Sequence, residues 1–338
     1  MQKTNKCLHQ PSLVDCPDLG RRKFLRQTLS SLGALAAFGP VVRAGEETTR
    51  LIPAIDTHVH FYDPTRPQGV PWPPKNVEVL YEPRLPEDFR KLTKGLAIAG
   101  VVVVEASPLV ADNQWVLDLA KDNALIVGFI GHLKPGQPEF ATNLKRLGAN
   151  PLFRGLRFDQ EMLAKGLGQR AFESDLKALA ERGLSLDVVG GTAILPHLPR
   201  LAKLAPDLRV IIDHLPFRDW RAEPEEIRHA LQEIAELPNI YAKISDVPRQ
   251  ANGRLTEDPA FYFPILDLLW NQFGAERTMF GSNWPVSDLF APYATVHHIV
   301  SAWMARKETA VAEKFFWKNS LAAYHWQPRG EAAHLVAR

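Results

Sequence analysis

Ile52-Pro53-Ala54-Ile55-Asp56-Thr57-His58-Val59-His60-Phe61 opens with apolar residues suited to a buried strand and closes on two histidines one residue apart. Alternate side chains of a strand share a face, so His58 and His60 point the same way. Two imidazoles on one face at a strand end can hold a metal ion or orient a substrate carbonyl. On its own the pair also reads as two polar residues ending a strand, and the residues C-terminal to Phe61 decide between these readings.

Downstream, Asp63 to Pro86 carries seven prolines (Pro64, Pro67, Pro71, Pro73, Pro74, Pro83, Pro86) together with Trp72 and Tyr81. This predicts a long rigid loop, directly after His60, that packs over something. Thereafter the pattern alternates. Apolar runs at Leu96–Ala106, Ile126–Leu133, Phe153–Phe158, Leu184–Val189, Arg209–Leu215, Asn239–Ile244 and Thr278–Phe280 join Ile52–Phe61 to make eight buried strands. Helical stretches separate them, and Ala291–Ala305 and Thr309–Leu321 come after the last. Eight strand-helix units with continuously apolar strands predict an α/β fold, a (β/α)8 TIM barrel. A doubly wound open sheet is the rival, weakened by the lack of a Gly-x-Gly-x-x-Gly turn after the first strand.

The 338 residues, 46% hydrophobic and 23% charged, have the composition of a soluble globular protein, and a net charge of +2 gives no reason to expect nucleic acid as a partner. Arg21-Arg22-Lys23-Phe24-Leu25 precedes a weakly apolar run from Thr28 to Val42 and then Val42-Arg43-Ala44. Residues 1–44 therefore read as a twin-arginine signal peptide, too short in its apolar run to span a membrane well. Residues 45–338 read as a single periplasmic barrel domain with no membrane partner. Cleavage removes seven basic and two acidic side chains, turning +2 into −3, and takes both cysteines, Cys7 and Cys16. Thiol nucleophiles and zinc-thiolate sites are thereby excluded.

Active sites of such barrels lie at the C-terminal strand ends. Those ends carry His58 and His60, Glu105, His132, Arg157, Asp187, His214, Lys243 with Asp246, and Asn283 with Trp284. Each alone has an ordinary explanation: Lys243 pairs with a neighbouring carboxylate, Arg154 snorkels out of the barrel foot, His132 is structural. His58, His60 and His214 converging on one mouth are hard to read as packing.

His58-x-His60, Phe153-Arg154-Gly155-Leu156-Arg157, Asp213-His214-Leu215 and Phe280-Gly281-Ser282-Asn283-Trp284-Pro285 together resemble the amidohydrolase-related branch of the amidohydrolase superfamily, nearest to the sugar-lactone and pyrone-dicarboxylate lactonases. The likeness runs from Ile52 to about Trp326. It implies a hydrolase that opens a small cyclic ester or a related carboxylated substrate. His58, His60 and His214, with or without one divalent ion (zinc or manganese), would polarise the carbonyl. Glu105, Arg157, Asp187, Trp72 and Trp284 would contact substrate, with Arg157 holding a substrate carboxylate. The same branch contains metal-dependent non-oxidative decarboxylases. One position departs: the family's strand-8 aspartate is Asn283, and an amide is neither a general base nor a good transition-metal ligand. That leaves a catalytically degenerate, ligand-binding barrel as the non-enzymatic alternative. No lysine stands centrally on strand 4 for carbamylation, which argues against a binuclear centre.

Overall fold

The computed structural model describes residues 51–215, 224–248 and 255–337. The signal-peptide reading of residues 1–44 lies outside them. Leu51–Arg338 forms one compact unit. Eight parallel strands succeed one another in chain order: β1 (Ala54–Val59), β2 (Ile98–Val104), β3 (Ile126–Gly131), β4 (Phe153–Asp159), β5 (Ser185–Val189), β6 (Arg209–Ile212), β7 (Ile240–Ile244) and β8 (Thr278–Phe280). All eight coincide with the apolar runs of the sequence. β1, β2 and β3 are buried along their whole lengths, as strands covered on both faces must be. No described helix is long and apolar enough to cross a membrane.

β8 is only three residues long, so the loop after it closes the barrel against β1. The His60 amide donates to the Trp284 carbonyl at 2.8 Å, and the Asn283 amide donates to the His58 carbonyl at 2.9 Å. Asp56 clamps the same seam. Its Oδ1 accepts from the Ser282 amide (2.9 Å) and the His58 amide (3.1 Å), and its Oδ2 accepts from Tyr293 Oη (3.0 Å). Burial pushes the Asp56 carboxyl up to about 6, against the pull of these donors. Asp56→Ala strands two backbone N–H groups and a hydroxyl at the seam. We expect a loss of about 2–4 kcal/mol, read as a melting temperature lower by roughly 5–15 °C in a thermal melt.

The register of β1 against β2 shifts between Asp56 and Val59. This is why Asp56 bonds Tyr293 of the helix Tyr293–Met304 while His58, two residues on, bonds into the barrel interior at Lys243. Strict alternation would have put both on one face.

The chain's end fills the interior. Tyr324 and Trp326 are buried among Val102, Ile130, Ile211 and Met279. Arg154 Nη1 donates to the His325 carbonyl at 3.2 Å, consistent with its place at the barrel foot. Two short elements, Gln160–Gly166 and Ala333–Val336, have no counterpart in the sequence pattern. The first is capped by Asp159, whose side chain accepts from the Met162 amide.

Candidate active site

Lys243 occupies the floor. It stands in the apolar strand β7, wholly buried, and its ammonium meets three acceptors: Asp187 Oδ2 of β5 at 2.6 Å, Asp213 Oδ1 after β6 at 2.8 Å, and His58 Nδ1 at 3.3 Å. Tyr324 Oη donates to the Asp187 carboxylate at 3.1 Å. Burial works against the ammonium, but Asp187 and Asp213 together hold its pKa above the usual lysine value. Burial likewise opposes ionisation of Asp213, yet Lys243 and His58 hold it well below the carboxylate range. Asp187, with less help, is pushed up to about 7 by burial.

His58 Nδ1 lies between two partners, the Lys243 ammonium at 3.3 Å, which only donates, and Asp213 Oδ1 at 3.4 Å, which only accepts; accepting from Lys243 puts the ring proton on Nε2. Burial keeps this imidazole neutral, its pKa well below the ordinary value. Nε2 is itself buried and has no hydrogen-bond partner among the described residues. His60 is fixed the other way. Its Nδ1 lies 2.9 Å from the Val104 carbonyl, which can only accept, so Nδ1 carries the proton and Nε2 is the acceptor. Burial and the charge of Arg157 lower its pKa to about 3. His214 Nδ1 lies 2.8 Å from Ser245 Oγ. The His58 ring centroid is 4.9 Å from that of His60 and 4.4 Å from that of His214, so the three expected imidazoles do converge.

The strand exits are strained. His214, Asp246 and Asn283, after β6, β7 and β8, all have left-handed backbone (φ 67°, 64° and 64°), uncommon for residues other than glycine. Each precedes an apolar residue and proline in the sequence: Leu215-Pro216, Val247-Pro248, Trp284-Pro285.

The remaining expected residues divide. Glu105 and Arg157 form a buried pair, with Arg157 Nε at 2.9 Å and Nη2 at 2.8 Å from Glu105 Oε1. The Arg157 fork is thus already occupied by a carboxylate of the protein rather than held open for one of the substrate. Trp72, on the Pro-rich loop, packs edge-on to His60 at 5.8 Å and Tyr62 at 5.4 Å, so that loop covers the histidines. Asp187 and Trp284 lie behind the pocket-facing side chains. Asp187 is wholly buried on Lys243 and Tyr324, and Trp284 is 1% exposed, packed on Phe61 and Phe89 beneath Arg84. His132 is pinned through its backbone by Asn113. The sequence pattern singles out neither Asp213 nor Tyr324 as a site residue, and it gives Lys243 only as a pairing partner. The available signal is a lysine inside an apolar strand, which must find buried anions.

A sequence model of the amidohydrolase family matches residues 55–326, most of the chain and every strand. The chain belongs to the amidohydrolase family. Among curated relatives, an L-fucono-1,5-lactonase of Burkholderia ambifaria is 28% identical over 256 residues, covering 74% of this chain and 85% of the relative. A zinc-bound amidohydrolase from Burkholderia multivorans superposes with a TM-score of 0.73 at 25% identity, covering 81% of this chain and 99% of that one. A Pseudomonas putida structure assigned as a 2-pyrone-4,6-dicarboxylic acid hydrolase (TM-score 0.62, 21% identity, 81% and 98% covered) shares the fold.

A metal ion here would be held by His58, His60 and His214. Metal ligation needs a lone pair on the imidazole nitrogen, which His58 Nε2 offers when its ring proton sits on Nδ1, toward Asp213. Asn283 offers an amide where a carboxylate would bind. Among the described residues no group of three or more His, Cys, Asp or Glu side chains is arranged to hold a metal.

Proposed function

We propose that the protein hydrolyses a lactone, with the neutral imidazoles of His58 and His60 acting directly on the ring ester beside His214. The observation that carries this is His58 Nε2, buried at the centre of the histidine cluster and without a partner among the described residues, which carries the ring proton when Nδ1 accepts from Lys243. Such a donor stabilises the oxyanion that develops as water attacks the carbonyl. His60 Nε2, an acceptor by its bond to Val104, takes the proton of the attacking water. The acyl C–O bond of the ring then breaks, the proton held by His60 passes to the leaving ring oxygen, and the hydroxy acid departs with His60 neutral again. The lactonase relatives support the same reaction class. A panel of lactones followed by pH drop and product mass tests it. Ring opening with the gain of one water is expected, and a panel in which no lactone opens would overturn the proposal in favour of a binding-only barrel.

The zinc-bound relative favours a second reading with one divalent ion such as zinc. It requires the His58 proton to move to Nδ1, toward Asp213 Oδ1 at 3.4 Å. Elemental analysis of protein purified without chelator separates the two readings: stoichiometric metal supports this one. Decarboxylation fits less well, because the guanidinium meant for a substrate carboxylate is paired with Glu105.

Trp72 roofs the pocket, and an aromatic contact is worth about 0.5–1.5 kcal/mol. Trp72→Ala should therefore lower kcat/KM by about threefold to tenfold, mainly through KM, in steady-state assays.

We also propose export by the twin-arginine route, from the Arg21-Arg22 stretch before a weakly apolar run. Arg21→Lys with Arg22→Lys should keep the protein out of the periplasm. Fractionation showing wild-type amounts there would refute this.

A further inference from the structure

All three imidazoles of the site meet the barrel wall through Nδ1. His58 meets Lys243 of β7 and Asp213 after β6, and His60 meets the Val104 carbonyl of β2. His214 meets Ser245, the residue after β7, whose Oγ lies 2.8 Å from its Nδ1. Ser245 is 1% exposed and takes no part in the chemistry derived above. Its surroundings are crowded. The carbonyl of Ile244, just before it, accepts from the Gly281 amide at 3.2 Å, which lays the exit of β8 against Ser245. A side chain at Gly281 would place a Cβ 2.9 Å from that of His58 and 3.3 Å from that of Ser245. Glycine at 281 therefore lets the exits of β1, β7 and β8 meet, and it leaves the Ser245 side chain little room to turn away from His214.

A buried serine bonded to a histidine can be a nucleophile, a packing residue or a support for the ring. A nucleophile must touch the substrate carbonyl. Ser245 is almost wholly enclosed while His214 is half-buried, so the ring and not the hydroxyl reaches the mouth. Packing alone leaves the geometry of His214 unexplained. That residue stands on left-handed backbone, φ 67°, which is costly for a histidine, and its ring is brought to 4.4 Å from that of His58. A site side chain on strained backbone needs its ring locked from behind to keep one orientation. We propose that Ser245 is the positioning residue of His214, its hydroxyl holding the imidazole beside His58. A hydroxyl both donates and accepts, so the bond survives whichever nitrogen of His214 carries the proton. The Lys243 ammonium and the Val104 carbonyl each allow one direction only. The effect of Ser245 on turnover rests on the lactone-hydrolysis reading; its hold on the ring does not.

Ser245→Ala tests this in two ways. In steady-state kinetics on a lactone that the wild type opens, kcat should fall about 10–100-fold, the usual cost of losing the group that orients a site histidine, with KM little changed. A kcat within about twofold of wild type makes Ser245 a packing residue and overturns the proposal. So does complete loss of turnover together with an acyl group found on Ser245 by mass spectrometry of quenched wild-type enzyme, which makes it the nucleophile. The second test needs no substrate: nitrogen NMR of labelled histidine rings in the free protein. In wild type the His214 ring should show one hydrogen-bonded pattern. In Ser245→Ala its two nitrogens should move toward the averaged positions of exchanging tautomers, while those of His60, held by Val104, stay where they are. A His214 pattern that the substitution leaves unmoved overturns the proposal even where a lactone is opened. A pattern that moves, in a protein that opens no lactone, upholds Ser245 as the support of His214 and sinks only the lactone reading. If Ser245→Ala does not fold, Ser245→Cys takes its place with the same readings and a smaller expected fall in kcat, since a thiol is the weaker hydrogen-bonding group.

Discussion

Lys243→Met is expected to cost the protein both its activity and much of its stability, and the two losses should be separable. The substitution leaves Asp187 and Asp213 buried without their ammonium, and breaking a buried pair by deleting one partner costs about 3–5 kcal/mol. For a domain of this size that is a fall of about 10 °C in melting temperature. The activity loss has a different origin. With no donor at Nδ1, His58 moves its proton there to meet Asp213, 3.4 Å away, and Nε2 no longer presents an N–H to the substrate carbonyl. Losing one preorganised oxyanion donor costs about 10²–10³ in kcat. The double variant Lys243→Met/Asp187→Asn removes one buried charge of each sign and should regain most of the stability while kcat stays low. A double variant that recovers kcat together with its melting temperature would make Lys243 a purely structural residue and detach the His58 tautomer from catalysis.

Asn283→Asp should lower turnover about tenfold or more, equivalent to about 1.4 kcal/mol in the transition state. The position has left-handed backbone, which Asn and Asp both tolerate, and its amide stays bonded to the His58 carbonyl, so the change is electrostatic rather than conformational. A carboxylate in place of this 4% exposed side chain, on backbone bonded to His58, repels the negative charge that develops on the carbonyl oxygen. Steady-state kinetics on a lactone opened by the wild type decides the matter. Faster turnover in the variant would mean that a strand-8 carboxylate is the better base and that His60 has been given the wrong role.

Much of this architecture is legible in the order of residues alone. Period and composition suffice for a barrel whose strands are buried on both faces, because each strand must then be apolar throughout and each connection must hold a helix. They also suffice to place His58, His60 and His214 at one mouth, since strand ends of a closed parallel barrel share one rim. The prolines of the loop after His60 likewise foretell a rigid cover, and Trp72 lies on His60 as its place in the chain implies. What the sequence could not show is pairing between strands far apart in the chain. Lys243 reaches Asp187 across 56 residues and His58 across 185, and Tyr324 joins them from the chain's far end. Nor could it show that Arg157 is already occupied by Glu105, or that the register shift in β1 turns Asp56 away from His58. Residue type along a strand reflects burial, which is a local demand. The proton on His58 Nε2 depends on which groups meet at the barrel floor, and only closure of the eight strands brings Lys243 there.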